Sequence, residues 1–241
     1  MIYELYYWPP LPGRGEFPRM MFEDAEVDYV DVARIPETEG GGVKAMRTFL
    51  DGERPGLLPL APPFLLAGEL VIAQTAEICR FLAPRLGLVP GDEASRIAAH
   101  QLQLTLADFV GEAHDTHHPI AIMEYYEAQK PEAKKRAASF IETRMPKYLG
   151  YFERVIERNV GGGGLVGADH TYVDLSAFHV LEGLAYALPN AWKKLSPAYP
   201  RLCALHDAVE QRPSLAAYLA SERRLPFNEM GIFRHYPELD L

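Results

Sequence analysis

The sequence predicts an α/β domain over residues 1–83, a linker over 84–94 and an all-α domain over 95–241. Three observations carry that prediction. Before residue 84, short β-rich runs alternate with helix-patterned ones. Around Pro84, Gly87, Pro90 and Gly91 the pattern breaks. Beyond that break, every patterned stretch has the helical period. A chain of 241 residues also suits two cores better than one.

The elements follow in order. IYELYYW (2–8) is rich in aromatic and β-forming residues and reads as a buried strand. RGEFPRMMFEDA (14–25) sets Phe17, Met20, Met21 and Phe22 at helical spacing, with Pro18 tolerated in the first turn. VDYVDV (27–32) alternates apolar and polar residues as a second strand. A strand, a helix and a strand of these lengths imply a parallel pair joined by a crossover. Residues 33–57 are Gly-rich and poorly patterned and read as an insert. PFLLA and LVIA then flank Gly68-Glu69, a pair suited to a tight hairpin, and TAEICRFLA (75–83) closes the unit as a helix. This is the order of a thioredoxin-like domain, a topology that carries no function by itself.

After the linker, long segments beginning at Ala94, Pro131, Thr171 and Pro200 are amphipathic or apolar with Gly or Pro between them. Pro146 predicts a kink in the second. Thr171 and Asp174 have the spacing of a capping box. The run Gly161 to Gly164 lacks the GK[ST] of a phosphate loop and reads as a turn.

Composition excludes several function classes. Apolar residues at 48% and charged residues at 24% are ordinary for a globular protein. No apolar run reaches the length of a membrane span, so a cytoplasmic location is expected. Net charge is −9, and residues 1–94 hold 15 acids against 8 Lys and Arg. That excess argues against nucleic acid or an anionic membrane as partner. Cys79 and Cys203 lie far apart in helix-patterned segments and read as small buried hydrophobes.

Residues 61–78, APPFLLAGELVIAQTAEI, make two unusual local choices. A helix opens on Gln74-Thr75 with almost no loop, and the first N–H groups of a helix form a ready site for a carboxylate. Two prolines open a strand, and a cis X-Pro bond there turns polar backbone outward, where an extended peptide can pair with it. One peptide-like ligand with a terminal carboxylate satisfies both.

APPFLLAGELVIAQTAEICRFLA (61–83) resembles the signature of the cytosolic glutathione transferases, in which a cis-proline, a hairpin and a polar pair opening a helix hold the tripeptide. YYWPPLPGRGEFPRMMFEDAEVDY (6–29) is similar to the start of their tyrosine-type members, and VGADHTYVDLSAF (166–178) to a helix cap of their all-helical domain. The resemblance spans roughly residues 2–220. It implies the glutathione transferase fold, glutathione as co-substrate, a small hydrophobic electrophile, a homodimer and a role in detoxification. By position it assigns Gln74 and Thr75 to the γ-glutamyl carboxylate, Pro63 to the cis-proline, and Arg14 and Lys44 to the ligand's charged ends. One departure stands out: the residue before the cis-proline is Pro62, which has no N–H to offer the ligand's cysteine.

Conjugation needs a thiolate, and a thiol of pKa near 8.5 is mostly protonated at neutral pH. Lowering it by about two units requires roughly 2.7 kcal/mol, which one or two hydrogen bonds to the charged sulfur supply. The family places Tyr, Ser or Cys at the end of the first strand; here Tyr7 is the candidate activator, with Tyr6 as its alternative. Arg19 reads either as a buried ion partner or as a ligand contact.

EAHDTHHP (112–119) has metal-ligand residue types but no companion cluster, so no metal is expected. In the resemblance, His114 and His117 line the electrophile pocket, and Asp108 or Glu112 reaches a glutathione amine across a dimer. A second function also fits the sequence: a transferase-like binding or scaffold protein without catalysis, with Pro62 marking an eroded contact.

Overall fold

The computed structural model describes residues 2–240, and the chain forms two compact units. The first runs to Leu88 and also includes Arg212–Pro226; the second comprises Val89–Gln211 and the residues from Phe227 onward.

The first unit is built on a four-stranded sheet. Its elements are β1 (Tyr3–Tyr6), α1 (Glu16–Asp24), β2 (Tyr29–Asp31), α2 (Gly42–Leu50), β3 (Phe64–Ala67), β4 (Leu70–Ala73) and α3 (Thr75–Leu82). Strand order is β2-β1-β3-β4. β1 and β2 are parallel with Tyr3 opposite Tyr29, and α1 is the crossover expected between them. β3 is antiparallel to both β1 and β4, the latter across the Gly68-Glu69 turn, where Gly68 takes φ 65°. Phe17, Met20, Met21 and Phe22 are buried along α1, as their spacing predicts. Tyr6, Val32, Met46, Phe49, Phe64 and Val71 form one core cluster.

Helix α2 lies inside the stretch read from sequence as unpatterned. Val43, Met46 and Phe49 recur at helical spacing, and Met46 and Phe49 are buried. The glycines before them hide this signal, because Gly40 and Gly42 take left-handed conformations that lead into the helix.

Residues 212–226 pack with the first unit, which differs from the expected single domain over 95–241. The cause is a buried carboxylate. Glu16 is fully buried on α1 and accepts hydrogen bonds from Arg19 Nη1 (3.3 Å) and the Tyr218 hydroxyl (2.6 Å), and it pairs with Arg224. Helix α10 (Pro213–Leu219) delivers Tyr218, and Arg212 just before it makes a two-point pair with Asp24. A charge so deeply buried requires such partners.

The second unit is helical: α4 (Glu93–His114), α5 (Lys130–Ser139), α6 (Met145–Arg158), α7 (Tyr172–Ala187), α8 (Pro189–Leu195) and α9 (Pro200–Glu210). Asp92 caps α4 by accepting the Ser95 N–H at 2.8 Å. Where a kink was expected at Pro146, α5 passes into α6 through one π-helical stretch, Phe140–Arg144. Pro146 lacks the N–H that would continue the ladder, so the ladder changes register just ahead of it. α7 is apolar nearly all round and buried, and its capping box forms as expected, with Asp174 Oδ2 accepting the Thr171 N–H at 2.7 Å. Among the described residues, no helix is long and apolar enough to cross a membrane.

Candidate active site

One rung of the sheet organises the first unit's candidate residues. Tyr6 of β1 pairs with Phe64 of β3, and Phe64 pairs with Ala73 of β4. Tyr7, Pro63 and Gln74 therefore each lie one residue beyond the same rung, at one end of the sheet. The Pro62–Pro63 bond is cis, as the sequence predicted, and Pro63 is buried.

The two adjacent tyrosines have different surroundings. Tyr6 turns into the core, its ring stacked 4.6 Å from that of Phe64, and its hydroxyl donates to Glu4 Oε2 at 2.6 Å. Burial and that carboxylate push its pKa up, and the hydroxyl already has its acceptor.

Tyr7 is only 5% exposed, and its oxygen accepts the Arg14 N–H at 3.0 Å. Its own O–H has no acceptor recorded among the described residues. Gly13 and Gly15 make this possible: a Cβ on Gly13 would collide with the Tyr7 hydroxyl, and one on Gly15 would lie 2.6 Å from the ring. Gly13 also takes φ +42°, a conformation glycine adopts at no steric cost. Arg19 holds the same turn, donating from Nη1 to the Leu11 carbonyl (3.1 Å) and from Nε to Asp31 Oδ2 (2.7 Å), with its guanidinium 5.7 Å from the Tyr7 ring centroid. Arg19 is fully buried and paired with Asp31 and Glu16. Burial pushes the Tyr7 pKa up, against the Arg14 N–H and the Arg14 and Arg19 charges, so the phenol keeps its proton at neutral pH.

At the start of α3, Thr75 is the first helical residue. Gln74 occupies the cap position at φ 70°, ψ 119°, and no side chain caps the helix. A non-glycine residue at positive φ costs about 1–3 kcal/mol and calls for a functional reason. The Thr75 Oγ1 is buried without a hydrogen-bond partner among the described residues. Uncapped N–H groups and this hydroxyl leave the helix start equipped for an anion. Arg14 is half-buried in the Tyr7 turn, and Lys44 is exposed on α2 beside a groove lined by Glu37, Arg47 and Asp51. Cys79 is fully buried on α3 and burial pushes its thiol pKa up, as a structural residue requires.

Comparison with known proteins bears on both units. Residues 114–222 match the family model "Glutathione S-transferase, C-terminal domain". The chain is similar to the glutathione S-transferase of Plasmodium yoelii yoelii, 24% identical over 212 residues that cover 88% of this chain and 90% of the relative. It is similar as well to S-crystallin SL11 of Nototodarus sloanii, 26% identical over 226 residues covering 93% and 98% of the two chains. Among solved structures, the monomeric glutathione S-transferase Na-GST-3 of Necator americanus aligns with a TM-score of 0.68 at 19% identity, over 94% of this chain and 100% of that one.

The fold is that of the glutathione transferases. The family model and these relatives make the chain similar to glutathione S-transferases. Within this glutathione transferase fold, the second unit departs from the roles read for its side chains. His117, expected along an electrophile pocket with His114, is 1% exposed and both its ring nitrogens are engaged, one with the Ile232 carbonyl at 2.7 Å and one with His118 Nδ1 at 2.6 Å. His114 is half-buried at the end of α4, its Nδ1 3.6 Å from Asp115. Burial lowers the His117 pKa to about 3 and that of His118 to about 4, so both rings are neutral. Glu112 is held by Arg144 (2.7 and 2.6 Å) and the Tyr148 hydroxyl (2.8 Å), which commits it to the fold.

Sequence reasoning missed Gly13 and Gly15 as the seat of Tyr7, and Glu16 as the anchor of α10. The glycines were visible in PGRGEF (12–17). Glu16 has a local partner in Arg19, but nothing local marks its link to α10, since Tyr218 and Arg224 lie some two hundred residues away.

Proposed function

We propose that the protein is a glutathione transferase in which Tyr7 donates a hydrogen bond to the glutathione thiolate and the thiolate attacks a small hydrophobic electrophile. The observation that carries this reading is the common rung: Tyr7, Pro63 and Gln74 stand together one residue past Tyr6, Phe64 and Ala73. A tripeptide extended along that edge would pair with the backbone near Pro63. Its γ-glutamyl carboxylate would meet the first N–H groups of α3 and the Thr75 hydroxyl. Its sulfur would lie by Tyr7, with Arg14 and Lys44 serving its charged ends. In the reaction the thiol gives up its proton to solvent, the Tyr7 O–H donates to the resulting sulfur anion, and sulfur forms a bond to carbon as the leaving group departs with its electron pair. Because Pro62 supplies no N–H, one ligand hydrogen bond worth about 0.5–1.5 kcal/mol is missing.

A hydrogen bond to a charged sulfur contributes about 1.5–3 kcal/mol, so Tyr7→Phe is expected to lower kcat/KM toward a general electrophile by about tenfold to a hundredfold. An unchanged rate removes Tyr7 from the mechanism. We place the enzyme in the cytoplasm, in detoxification and as a homodimer. Leu57, Leu58 and Leu60, which are 63%, 61% and 92% exposed, are apolar surface that a second copy would cover. Sedimentation as a monomer, the state named for the Necator protein, would contradict that last point.

The likeness to an S-crystallin, with the donor missing at Pro62, favours a second reading: a protein that binds without turnover. Retention on glutathione resin with no conjugation across a broad electrophile panel supports it.

A further inference from the structure

Three imidazoles converge where α4 ends. His114 closes the helix, His117 and His118 follow in the next turn, and one ring nitrogen from each lies within 4.8 Å of the others. Ring centroids are separated by 4.9, 5.1 and 4.8 Å; His114 and His118 stack, and His117 stands edge-on to both. His117 and His118 are buried, at 1% and 8% exposure.

The hydrogen bonds orient the cluster. A carbonyl oxygen only accepts, so the bond from His117 Nε2 to the Ile232 carbonyl at 2.7 Å places the His117 proton on Nε2. Nδ1 of His117 then carries a lone pair, directed at His118 Nδ1 2.6 Å away. An imidazole whose far N–H is held by a carbonyl is the arrangement that fixes the tautomer and direction of a metal ligand. The cluster also sits at the negative end of the α4 dipole, which favours a cation, and Asp115 lies 3.6 Å from His114. Arg234, the opposing cation nearby, donates to the Gly231 (2.8 Å) and Met230 (3.3 Å) carbonyls.

We propose that His114, His117 and His118 form a three-imidazole site for a borderline divalent cation of the zinc class, with a fourth position for water. Two imidazole nitrogens on one tetrahedral zinc lie about 3.3 Å apart, so His117 and His118 separate by a fraction of an ångström to admit it. The ion takes the place of the proton between the two Nδ1 atoms, and that proton passes to His118 Nε2. Occupancy stiffens the seat of the C-terminal segment, because Ile232 is bonded to one of the ligands.

The test uses tag-free, chelator-stripped full-length protein and Zn2+ alone, followed by calorimetry and thermal melting. One ion per chain is expected to bind and raise the melting temperature. His114→Ala and His118→Ala are each expected to weaken binding at least tenfold. His206→Ala, in the second cluster of ligand types (His206, Asp207, Glu210), is expected to leave it unchanged. Co2+ in place of Zn2+ is expected to give the visible spectrum of a low-coordinate nitrogen site, lost in both α4-end variants. No saturable binding to the wild type, equal binding in His114→Ala and His118→Ala, or loss in His206→Ala would each overturn the proposal. Should His118→Ala fail to fold, His114→Ala carries the test, since that ring is partly exposed.

Discussion

The rim of the sheet in the first unit and the histidine end of α4 in the second treat their polar groups in opposite ways. At the rim, among the described residues, the Thr75 hydroxyl has no hydrogen-bond partner, no side chain caps the start of α3, and the Tyr7 hydroxyl oxygen accepts the Arg14 N–H. At the α4 end, both nitrogens of His117 are engaged by protein atoms, one of them a carbonyl 115 residues further along the chain. Buried polar groups are normally satisfied. A buried polar atom left without a partner at the rim suits a ligand that arrives from outside, whereas His117, engaged at both nitrogens, admits an ion only where that ion replaces a proton.

That contrast breaks most visibly at Glu16, whose buried carboxylate ties α1 and α10 to the turn around Tyr7. Glu16→Ala removes the acceptor of the buried Tyr218 hydroxyl and a carboxylate partner of Arg19 and Arg224, and is expected to lower unfolding free energy by about 3–5 kcal/mol in urea titration. A loss below about 1 kcal/mol would mean the rim does not depend on this network.

A smaller effect probes the closed region. Gly183 on α7 faces Phe233 of the C-terminal segment so closely that a Cβ would collide with its ring. Alanine is the better helix former by about 1 kcal/mol, yet Gly183→Ala is expected to destabilise by about 1–3 kcal/mol through overpacking. A gain in melting temperature would show that the tail is loosely seated.

The smallest effect has an unusual sign. Gln74→Gly removes the strain of a non-glycine residue at φ 70° and is expected to leave stability unchanged or raise it by up to about 1 kcal/mol, while weakening retention on glutathione resin through loss of the amide. Stability and retention falling together would assign Gln74 a purely structural role.

Much of the rim was legible because each of its parts adjoins a strand or helix end that local pattern reveals. The apolar runs LYY, FLLA and LVIA locate the rung, and PP, QT and the second Tyr sit immediately beyond it. What sequence left open between Tyr6 and Tyr7 is a matter of facing: Tyr6 alternates into the core beside Phe49 and Phe64, whereas Tyr7 leaves the strand and is enclosed by glycines. Helix α2 was hidden by glycines whose left-handed φ values lead into it. The return of residues 212–226 to the first unit, and the closing of His117 by Ile232, depend on contacts across more than a hundred residues, which no local period encodes.

The central claim, that the Tyr7 hydroxyl stabilises a bound thiolate, is tested most directly by titrating the ultraviolet thiolate absorbance of glutathione bound to wild type, Tyr7→Phe and Tyr6→Phe. The account predicts a bound-thiol pKa about one to two units below the free value near 8.5 in wild type and Tyr6→Phe, returning toward the free value in Tyr7→Phe. A pKa that is undepressed in wild type, or equally depressed in Tyr7→Phe, would contradict it.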